Sequence, residues 1–419
     1  MSDSPDGRTV GGEAGGRIHL DSPAFLLVAL LVLAASAIIG VGASRYGAAV
    51  PALSATSAFP ASIAVEPATA GLPWPEQGQA AVAMEGFGTL GVHNPSGQSQ
   101  PAEQAIGSTA KVMTALLILE HHPLKPGESG PTVTLTQADV DRYNEAITED
   151  QSVLQVQDGE KLTELDLLNG LLIPSANNFA EILARWDAGS KDAFLAQMNA
   201  RAQALGMAHT HFDDSSGFSS KTVSTAGDLL LLEEAAMADP LFARIVSQSK
   251  GSVPVAGEIE STNDLLKEPG VIGVKTGETD GSGGCLMFAA KDSSGRTIYG
   301  VVLGQDGLSG AFAAAKALLA AAPAQVADTP VIGKGQPAAT YSAAWGGSVP
   351  AVAAHDLAMP ALAGSSVHVT VTLLDVKAPI AAGEKLGLLT ASAGGRSESV
   401  DLVAAAALGS PGFGWRLTR

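Results

Sequence analysis

The strongest constraint on how this chain folds is an uncharged, almost wholly apolar run, FLLVALLVLAASAIIGV, at residues 25–41. A run of this length can span a bilayer as one helix, although it lies at the short end of the usual range. A cleaved signal peptide is the alternative, because LSATSA at residues 53–58 offers small residues for a cleavage site. The long polar stretch before the run favours an uncleaved anchor. In both cases we expect the bulk of the chain to be exported.

The residues around this run predict its orientation and its surroundings. Arg8 and Arg17 precede it and Arg45 follows it, so the positive-inside rule places the N-terminus in the cytoplasm. We expect a disordered cytoplasmic tail over residues 1–24. Residues 42–72 are rich in Ala, Pro and Ser and predict a linker. The predicted location is the cell membrane with the folded domains outside the cytoplasm, or secretion if the run is cleaved.

The composition excludes some functions. The 419 residues carry a formal net charge of −18. A chain this acidic is repelled by phosphate backbones, so we expect no nucleic-acid partner. The single cysteine, Cys285, rules out an internal disulfide framework. Its surroundings, GGCLMFAAK, predict an inert thiol on a buried strand.

Strand and helix signals follow one another in blocks along residues 73–323. QAAVAM and FGTLGV predict two strands. Helical patterns follow: SKDAFLAQMNARAQALG begins at Ser190, and two further helix starts are predicted where Thr163 with Asp166 and Thr225 with Asp228 stand at capping-box spacing. VIGVKTGE, GGCLMFAAK and TIYGVVLG then predict strands again, before a helix that ends at Pro323. This order predicts an α+β fold, an antiparallel sheet with helices packed against it. Beyond it, SSVHVTVTLLDV alternates apolar and polar residues, so residues 324–419 are predicted to form a small, mostly-β domain.

A serine and a lysine at the start of one apolar helix are the first candidates for chemistry. In IGSTAKVMTALLILE, at residues 106–120, Ser108 and Lys111 stand at positions i and i+3, which share a helix face. Serine becomes a good nucleophile only beside a base. Burial in the apolar face lowers the pKa of Lys111, and a neutral lysine is such a base.

Similar short motifs recur along the chain, and their spacing separates them. S-x-x-K occurs at residues 108–111 and 247–250, S-x-N at 175–177 and 261–263, and K-T-G only at 275–277. The later two matches crowd against K-T-G and leave no room for a helical region between them. The earlier two are separated by a whole set of predicted helices. We therefore expect the earlier matches and K-T-G to form the site.

In this order, S-x-x-K, S-x-N and K-T-G resemble the serine penicillin-binding enzymes, and most closely the D-alanyl-D-alanine carboxypeptidases of peptidase family S11. LGMAHTHFDDSSGF and STNDLLKEPGVIGVKTGETDGSGGCLMFAAK are also similar to stretches of that family. The resemblance covers roughly residues 72–323, and PIAAGEKLGLL is less specifically similar to the family's β domain. It implies a penicillin-binding-protein fold with an all-helical subdomain, peptidoglycan stem peptides as substrate, inhibition by β-lactam antibiotics, and no cofactor or metal.

The resemblance also implies a role for each motif residue. Ser108 would be the acylated nucleophile, Lys111 its base, and Ser175 a proton relay to the leaving D-alanine. The backbone N–H groups of Ser108 and Glu278 would form the oxyanion hole. Asn177 would hold the substrate peptide.

The K-T-G strand would bind the end of the substrate. Lys275 and Thr276 would hold its terminal carboxylate, and Gly277 would let the peptide approach the strand. Two positions depart from the family pattern. Asn178 stands where an aspartate often follows S-x-N, and Glu278 stands where an aromatic residue or histidine usually follows K-T-G. An acid near a carboxylate-binding site is expected to weaken substrate binding or to alter specificity.

Two other functions stay open at this point. A β-lactamase would share the chemistry but needs a glutamate in an E-x-x-L-N-type setting, and HTHFDDSSGF offers none there. A degenerate relative would bind wall peptides or β-lactams without turnover, with Asn178 and Glu278 as the damaged positions. A zinc peptidase is not expected, because the histidines lack a third ligand at the required spacing. We interpret these as loop and capping residues, namely His121, His122, His209 and His211.

Overall fold

The structure is a computed structural model that describes residues 23–95 and 102–418. The tail predicted over residues 1–24 lies outside the described residues, except for Pro23 and Ala24. Three hydrophobic cores organise the described chain. Two of them lie on the two faces of one sheet, and the third belongs to a separate β domain.

The described residues form ten α-helices and twenty strands. The helices are α1 (Pro23–Gly47), α2 (Lys111–His121), α3 (Gln137–Thr148), α4 (Glu164–Leu172), α5 (Asn177–Ala188), α6 (Lys191–Ala204), α7 (Ala226–Met237), α8 (Pro240–Val246), α9 (Gly307–Ala321) and α10 (Phe413–Thr418). The strands are β1 (Ser54–Thr56), β2 (Ser62–Ala64), β3 (Gln79–Met84), β4 (Gly88–His93), β5 (Gln104–Ala105), β6 (Thr132–Thr134), β7 (Lys161–Thr163), β8 (Val223–Ser224), β9 (Lys250–Val253), β10 (Gly257–Glu260), β11 (Val271–Thr279), β12 (Gly283–Lys291), β13 (Thr297–Gln305), β14 (Val326–Ile332), β15 (Pro337–Ser342), β16 (Ser348–Ala353), β17 (Leu357–Leu362), β18 (Ser366–Leu373), β19 (Lys385–Ala393) and β20 (Arg396–Ala404).

The apolar run near the N-terminus lies in α1, which has no buried residue. At 1.5 Å per residue this helix is about 37 Å long, enough to cross the hydrocarbon core of a bilayer. Among the described helices, α9 is also long and apolar enough by composition, but it packs against the central sheet. The N-terminal helix is therefore a membrane anchor or a signal sequence.

An antiparallel sheet in the strand order β11-β12-β13-β3-β4 lies between two of the three cores. Its two faces are both covered, one by the helical region that includes α2 and α7, the other by α9. Because both faces are covered, most residues of the inner strands β12 and β13 are buried, and so is every residue of β3. The K-T-G strand, β11, is an edge strand, so one side of its backbone is open. The predicted α+β fold is confirmed.

The helix starts predicted from the sequence have the expected caps. Thr163 Oγ1 accepts from the Asp166 N–H at 3.2 Å, and the Asp166 carboxylate accepts from the Thr163 N–H at 2.9 Å. Thr225 accepts from the third residue of α7 in the same way, and Ser190 does so for α6. Each such cap stabilises its helix by about 1 kcal/mol. The three capped helices, α4, α6 and α7, all pack against α2, which begins at Lys111.

The region after Pro323 forms the mostly-β C-terminal part predicted from alternation. On β18, Val367 and Val369 are buried, while His368 and Thr370 between and after them are exposed. The main sheet has the strand order β1-β15-β16-β20-β19-β18-β2, and β14 pairs with β17 beside it. The two sets of strands enclose one apolar core of their own.

Two short strands from the N-terminal side complete this β domain, which differs from the linker predicted over residues 42–72. β1 pairs with β15 and β2 with β18, at opposite edges of the seven-stranded sheet. We call residues 54–64 the strap. Leu53 and Val65, on either side of it, are buried in the domain core. Strands of three residues are too short for alternation to reveal them, and the open sheet edges that they cover supply the driving force.

Candidate active site

Ser108 lies in a 3-10 turn, Gly107–Ala110, that leads directly into α2. Gly107 has a left-handed backbone with φ of 52°. A Cβ at this position would lie 3.0 Å from Ser282 Oγ and 3.2 Å from the backbone nitrogen of Glu278. The glycine therefore lets the turn that carries the nucleophile approach the end of β11.

Lys111 is fully buried, and its amine has three oxygen neighbours. Nζ lies 2.6 Å from Ser108 Oγ, 2.6 Å from Asn177 Oδ1 and 3.0 Å from the carbonyl oxygen of Ser216. Amide and carbonyl oxygens only accept hydrogen bonds, so the lysine donates to both. These two bonds use both hydrogens of a neutral amine, and its lone pair then faces the hydroxyl of Ser108. The arrangement is that of a base beside a nucleophile.

Burial favours the neutral form of Lys111, which this arrangement needs. Loss of hydration lowers the pKa of Lys111 well below its ordinary value, and the nearby ammonium of Lys275 lowers it further. The carboxylate of Asp214 acts in the opposite direction as the weakest of the three causes. The depressed pKa agrees with the environment predicted from the apolar helix face.

The S-x-N motif lies in the turn between α4 and α5. Ser175 is buried and has φ of 71°, a left-handed conformation that costs a residue with a side chain about 1–3 kcal/mol and is concentrated at functional sites. Asn177 accepts from Lys111, and its Nδ2 donates to Gln151 Oε1 at 2.7 Å. Gln151 was missed by the sequence reasoning, since it lies in an irregular segment that matches no motif.

A serine-rich loop, DDSSG at residues 213–217, closes over the amine of Lys111. The carbonyl of Ser216 accepts from this amine, and the carbonyl of Ser215 accepts from Thr114 Oγ1 on α2 at 2.7 Å. The Asp214 carboxylate accepts from the hydroxyl of Ser216 at 2.6 Å and holds the loop in shape. The sequence reasoning assigned no role to this loop, because its contribution is a backbone oxygen.

Lys275, Thr276 and Gly277 lie on edge strand β11, beside the turn that carries Ser108. Lys275 is fully buried, its Nζ donates to the carbonyl of Thr276 at 2.9 Å, and burial lowers its pKa to about 7. The Thr276 hydroxyl lies 2.5 Å from that of Thr262. A Cβ on Gly277 would lie 2.8 Å from the backbone nitrogen of Ser108, so a larger residue would push the strand and the turn apart.

The two departures from the family pattern have different settings. Glu278 is exposed, and a Cβ on Gly307 at the start of α9 would lie 3.0 Å from its Oε1. Asn178 is buried and bonds both backbone groups of Leu154: Nδ2 donates to the carbonyl at 2.8 Å and Oδ1 accepts from the N–H at 3.1 Å. A carboxylate could not make both bonds, so the asparagine ties the segment at 149–154 to α5.

A cleft of about 530 Å³ opens beside Ser108. Its walls come from residues 149–152, from Phe218 and Ser220, and from the end of β11. The cleft can therefore admit an extended peptide along the open edge of that strand. Four of its lining residues are acids: Glu149, Asp150, Glu278 and Asp280.

The competing motif matches are not brought together with this cleft. Ser247 donates to the carbonyl of Arg244 at 2.9 Å. Lys250 is exposed and forms ion pairs with two glutamates of β10. The side chain of Asn263 accepts from the N–H of Leu265 and caps a short helical turn. The choice of Ser108 and Lys111 over the later pair agrees with the geometry.

The histidines and the cysteine have ordinary structural settings. His121 and His122 share the carboxylate of Asp187, each at 2.9 Å. No group of three or more His, Cys, Asp and Glu residues within 23–95 and 102–418 is placed to hold a metal ion. Cys285 is buried in β12, and burial raises the pKa of its thiol to about 11, as expected for an inert core residue.

Comparison with known proteins identifies the same region of the chain. The family model described as D-alanyl-D-alanine carboxypeptidase matches residues 96–307, which contain all three motifs. A D-alanyl-D-alanine carboxypeptidase of Mycobacterium tuberculosis is 33% identical over 216 residues, covering 50% of this chain and 70% of that protein. The crystal structure of the Streptomyces K15 DD-transpeptidase has a TM-score of 0.53 at 26% identity, covering 61% of this chain and 100% of the other.

The likeness in fold extends beyond the catalytic region. Penicillin-binding protein 5 of Haemophilus influenzae has a TM-score of 0.54 and covers 80% of this chain and 99% of its own length. At 22% identity this match shows the fold alone. The family match, the sequence identity to the mycobacterial enzyme and the lysine–serine pair lead to one conclusion: this chain belongs to the D-alanyl-D-alanine carboxypeptidases of peptidase family S11 and is a serine peptidase.

Proposed function

We propose that this protein removes the terminal D-alanine from peptidoglycan stem pentapeptides through an acyl-enzyme on Ser108. One observation carries the proposal. The amine of Lys111 lies 2.6 Å from Ser108 Oγ, and its other two contacts are to acceptors, so its lone pair is available to the hydroxyl. Membership of the family supplies the substrate class.

In the acylation step, Lys111 takes the proton of Ser108 as Oγ attacks the carbonyl carbon between the two D-alanines. The backbone N–H groups of Ser108 and Glu278 hold the negative oxygen that forms, and one such donor contributes about 10²–10³ in rate. The C–N bond then breaks, and the leaving nitrogen receives the proton from Lys111 through the hydroxyl of Ser175. The products are an ester on Ser108 and free D-alanine.

The end of the substrate needs a cation, and Lys275 supplies it. Its pKa of about 7 means that the free enzyme is only partly charged here at neutral pH, and a bound carboxylate stabilises the ammonium form. The hydroxyl of Thr276 adds a second contact to the carboxylate. The open edge of β11 can pair with the peptide backbone as an added strand, and Gly277 lets this strand lie close to the turn that carries Ser108. Asn177 contacts the peptide from the other side.

Hydrolysis of the ester regenerates the enzyme, and here a peptide and a penicillin differ. Departure of D-alanine leaves space for water beside the ester. A penicillin opens its lactam ring but keeps both parts joined, so the remainder of the molecule fills that space. The stretch HTHFDDSSGF also offers no glutamate in the E-x-x-L-N-type setting with which a β-lactamase activates water. We therefore expect turnover of the peptide and a long-lived penicilloyl ester on Ser108.

A paired time course tests this function. The full chain in detergent is incubated with a pentapeptide ending in D-Ala-D-Ala and, separately, with penicillin. We expect D-alanine to accumulate over many turnovers while the penicilloyl adduct persists in intact-mass spectra. A short-lived adduct without D-alanine release would favour the β-lactamase alternative. A stable adduct without D-alanine release would favour a binder that does not turn over.

We further propose that α1 is an uncleaved anchor that holds the folded domains outside the cytoplasm. Cleavage after Ala58 would remove β1 and expose the edge of β15. The last helix also packs against the end of α1: the rings of Tyr46 and Phe413 are 5.7 Å apart, and Arg45 donates to the carbonyl of Leu417 at 3.3 Å. Both contacts would be lost on cleavage.

Fractionation of cells that express the full chain tests the anchor. We expect the protein in the membrane fraction after an alkaline carbonate wash, with an intact mass that includes α1. Protease added outside the cytoplasmic membrane should digest the folded domains. A mature N-terminus within residues 53–60, or release of the protein into the soluble fraction, would contradict the proposal.

A further inference from the structure

We propose that Gln151, together with Glu149, is a positioning residue for the catalytic base. The pair sets the direction of hydrogen bonding through the amide of Asn177 and thereby leaves the lone pair of Lys111 facing Ser108. The inference rests on the proposed role of Lys111 as base. It concerns two residues outside the three motifs.

The need for such a device comes from the symmetry of an amide side chain. Asn177 has an oxygen and an NH₂ group of nearly the same size, and either can be turned toward Lys111. With the oxygen toward the lysine, the amine donates to it and keeps its lone pair for Ser108. With the NH₂ group toward the lysine, the amide competes with Ser108 for that lone pair. Something must hold the first orientation.

Gln151 fixes the orientation of Asn177, and Glu149 fixes that of Gln151. A carboxylate only accepts hydrogen bonds, so the NH₂ group of Gln151 faces Glu149 Oε2, at 2.5 Å. Its Oε1 then faces the NH₂ group of Asn177, at 2.7 Å. Asn177 Oδ1 is left for the amine of Lys111, at 2.6 Å. Each partner in the chain thus has one allowed direction.

The outer end of the chain is also fixed. Arg142, which only donates, places NH1 3.1 Å from the same Oε2 of Glu149. The guanidinium is itself held by two contacts to Glu181 and one to Glu145. The direction of hydrogen bonding is therefore defined from an arginine at the surface to the buried amine of Lys111 beside Ser108.

The segment that carries Gln151 is held firmly enough for this role. Gln151 is nine-tenths buried, and the residue before it, Asp150, has a left-handed backbone with φ of 55°. The carbonyl of Ser152 accepts from the N–H of Asn177 at 2.7 Å. Asn178 bonds both backbone groups two residues further on. The start of α5 therefore fixes the distance between the two amides.

Three variants of the full chain test the proposal. Gln151→Met keeps the length of the side chain and removes the amide. The double variant Glu149→Gln/Gln151→Glu exchanges the two groups: the new carboxylate at 151 accepts from the NH₂ group of Asn177 and from the NH₂ group of the new amide at 149. The double variant keeps the net charge of the protein, and it keeps the direction of the hydrogen bond between residue 151 and Asn177. Glu145→Gln is the matched control. It removes a carboxylate that also contacts Arg142 but takes no part in the hydrogen bonds that lead through Gln151 to Asn177.

The measurement is the second-order rate of acylation by a fluorescent penicillin as a function of pH, with thermal melting as a check of folding. We expect Gln151→Met to react about tenfold more slowly, the effect of one neutral hydrogen bond at its upper range. The double variant should recover most of the rate, and Glu145→Gln should react like the unmodified protein.

The pH below which the acylation rate falls distinguishes a role of Gln151 in positioning the base from a role in packing alone. The charged groups that face Lys111 are Lys275 from β11 and Asp214 from the serine-rich loop, and none of the variants alters them. In Gln151→Met the NH₂ group of Asn177 can turn toward Lys111 and disfavour its ammonium form. The fall in acylation rate on the acid side should therefore occur at lower pH. In the double variant the carboxylate at position 151 lies closer to Lys111 and favours its ammonium form, so the fall in acylation rate on the acid side should occur at higher pH.

Two results would overturn the inference. One is a Gln151→Met protein that reacts at the unmodified rate. The other is a combination of two findings: Gln151→Met reacts slowly with no shift in the acid side of its pH profile, and the double variant reacts equally slowly. This combination would indicate that Gln151 acts by packing alone. If Gln151→Met does not fold, the double variant decides by its rate and the direction of its shift. If Lys111 were not the base, the unmodified protein itself would show this, because its acylation rate would not fall on the acid side of the pH profile.

Discussion

Replacement of Ser108 with alanine is expected to abolish both D-alanine release and penicillin labelling. Among the described residues, the hydroxyl of Ser108 is the one that hydrogen-bonds to the amine of Lys111, and the substitution removes it. A serine without such a base is a poor nucleophile. The fold should survive, because only one oxygen atom is lost and the close approach of the turn to β11, which Gly107 and Gly277 allow, is unchanged. The measurement is intact-mass analysis after exposure to penicillin, with thermal melting to confirm the fold.

The matched control for this experiment is Ser247→Ala, the serine of the second S-x-x-K match. Its hydroxyl donates to the carbonyl of Arg244, and Lys250 is exposed and ion-paired rather than neutral. This variant should form the adduct at the unmodified rate. An adduct that persists in Ser108→Ala and disappears on addition of Ser247→Ala would show that the wrong serine had been assigned.

The second large effect is expected from Lys111→Met, which keeps the apolar stem and removes the amine. General-base catalysis contributes about 10²–10⁴ in rate, so acylation should fall by that factor. Asn177 Oδ1 and the carbonyl of Ser216 lose their donor, but the nucleophile remains in place. Burst kinetics with a chromogenic β-lactam measure the acylation rate directly. A variant that acylates within about threefold of the unmodified rate would exclude Lys111 as the base.

The pH dependence follows from the directions of the two lysine pKa shifts. Lys111 must be neutral, and its pKa is held well below the ordinary value of about 10.4 by burial and by Lys275. Acylation should therefore rise with pH through this lowered pKa. Lys275 must be charged to hold a carboxylate, so kcat/KM for the peptide should fall again above its pKa of about 7. A bound carboxylate stabilises the ammonium of Lys275, so the fall in kcat should come at higher pH.

The same shifts make a prediction about stability. A lysine whose pKa is lower in the folded than in the unfolded protein binds fewer protons when folded, so the free energy of unfolding rises with pH between the two values. Below the folded pKa the full penalty is present. Lys111→Met removes one such lysine, and its free energy of unfolding should vary less with pH than that of the unmodified protein. Denaturant titrations at several pH values measure this. An equal dependence in both proteins would mean that Lys111 is not the depressed group.

Much of this protein was predictable from local patterns. The order of strands and helices, the caps at Thr163 and Thr225, and the alternation on β18 depend on residues a few positions apart. The pairing of Ser108 with Lys111 is also local, because i and i+3 meet on any helix. The order of the three motifs then carried the family resemblance, and the match to residues 96–307 bears it out.

Only the tertiary structure decided how the base is oriented and where the N-terminal segment goes. The contacts of Lys111 with Asn177 and Ser216 join residues 66 and 105 positions apart, and one of them is to a backbone oxygen that any residue could supply. Gln151 matches no motif, and its role depends on the direction of a hydrogen bond rather than on a residue type. The strap consists of strands too short to show a period, placed by sheet edges formed almost 300 residues later. Local patterns determine elements and short-range pairs, because their energies depend on near neighbours. Long-range contacts and backbone oxygens leave no local pattern, so they are settled only when the chain has folded.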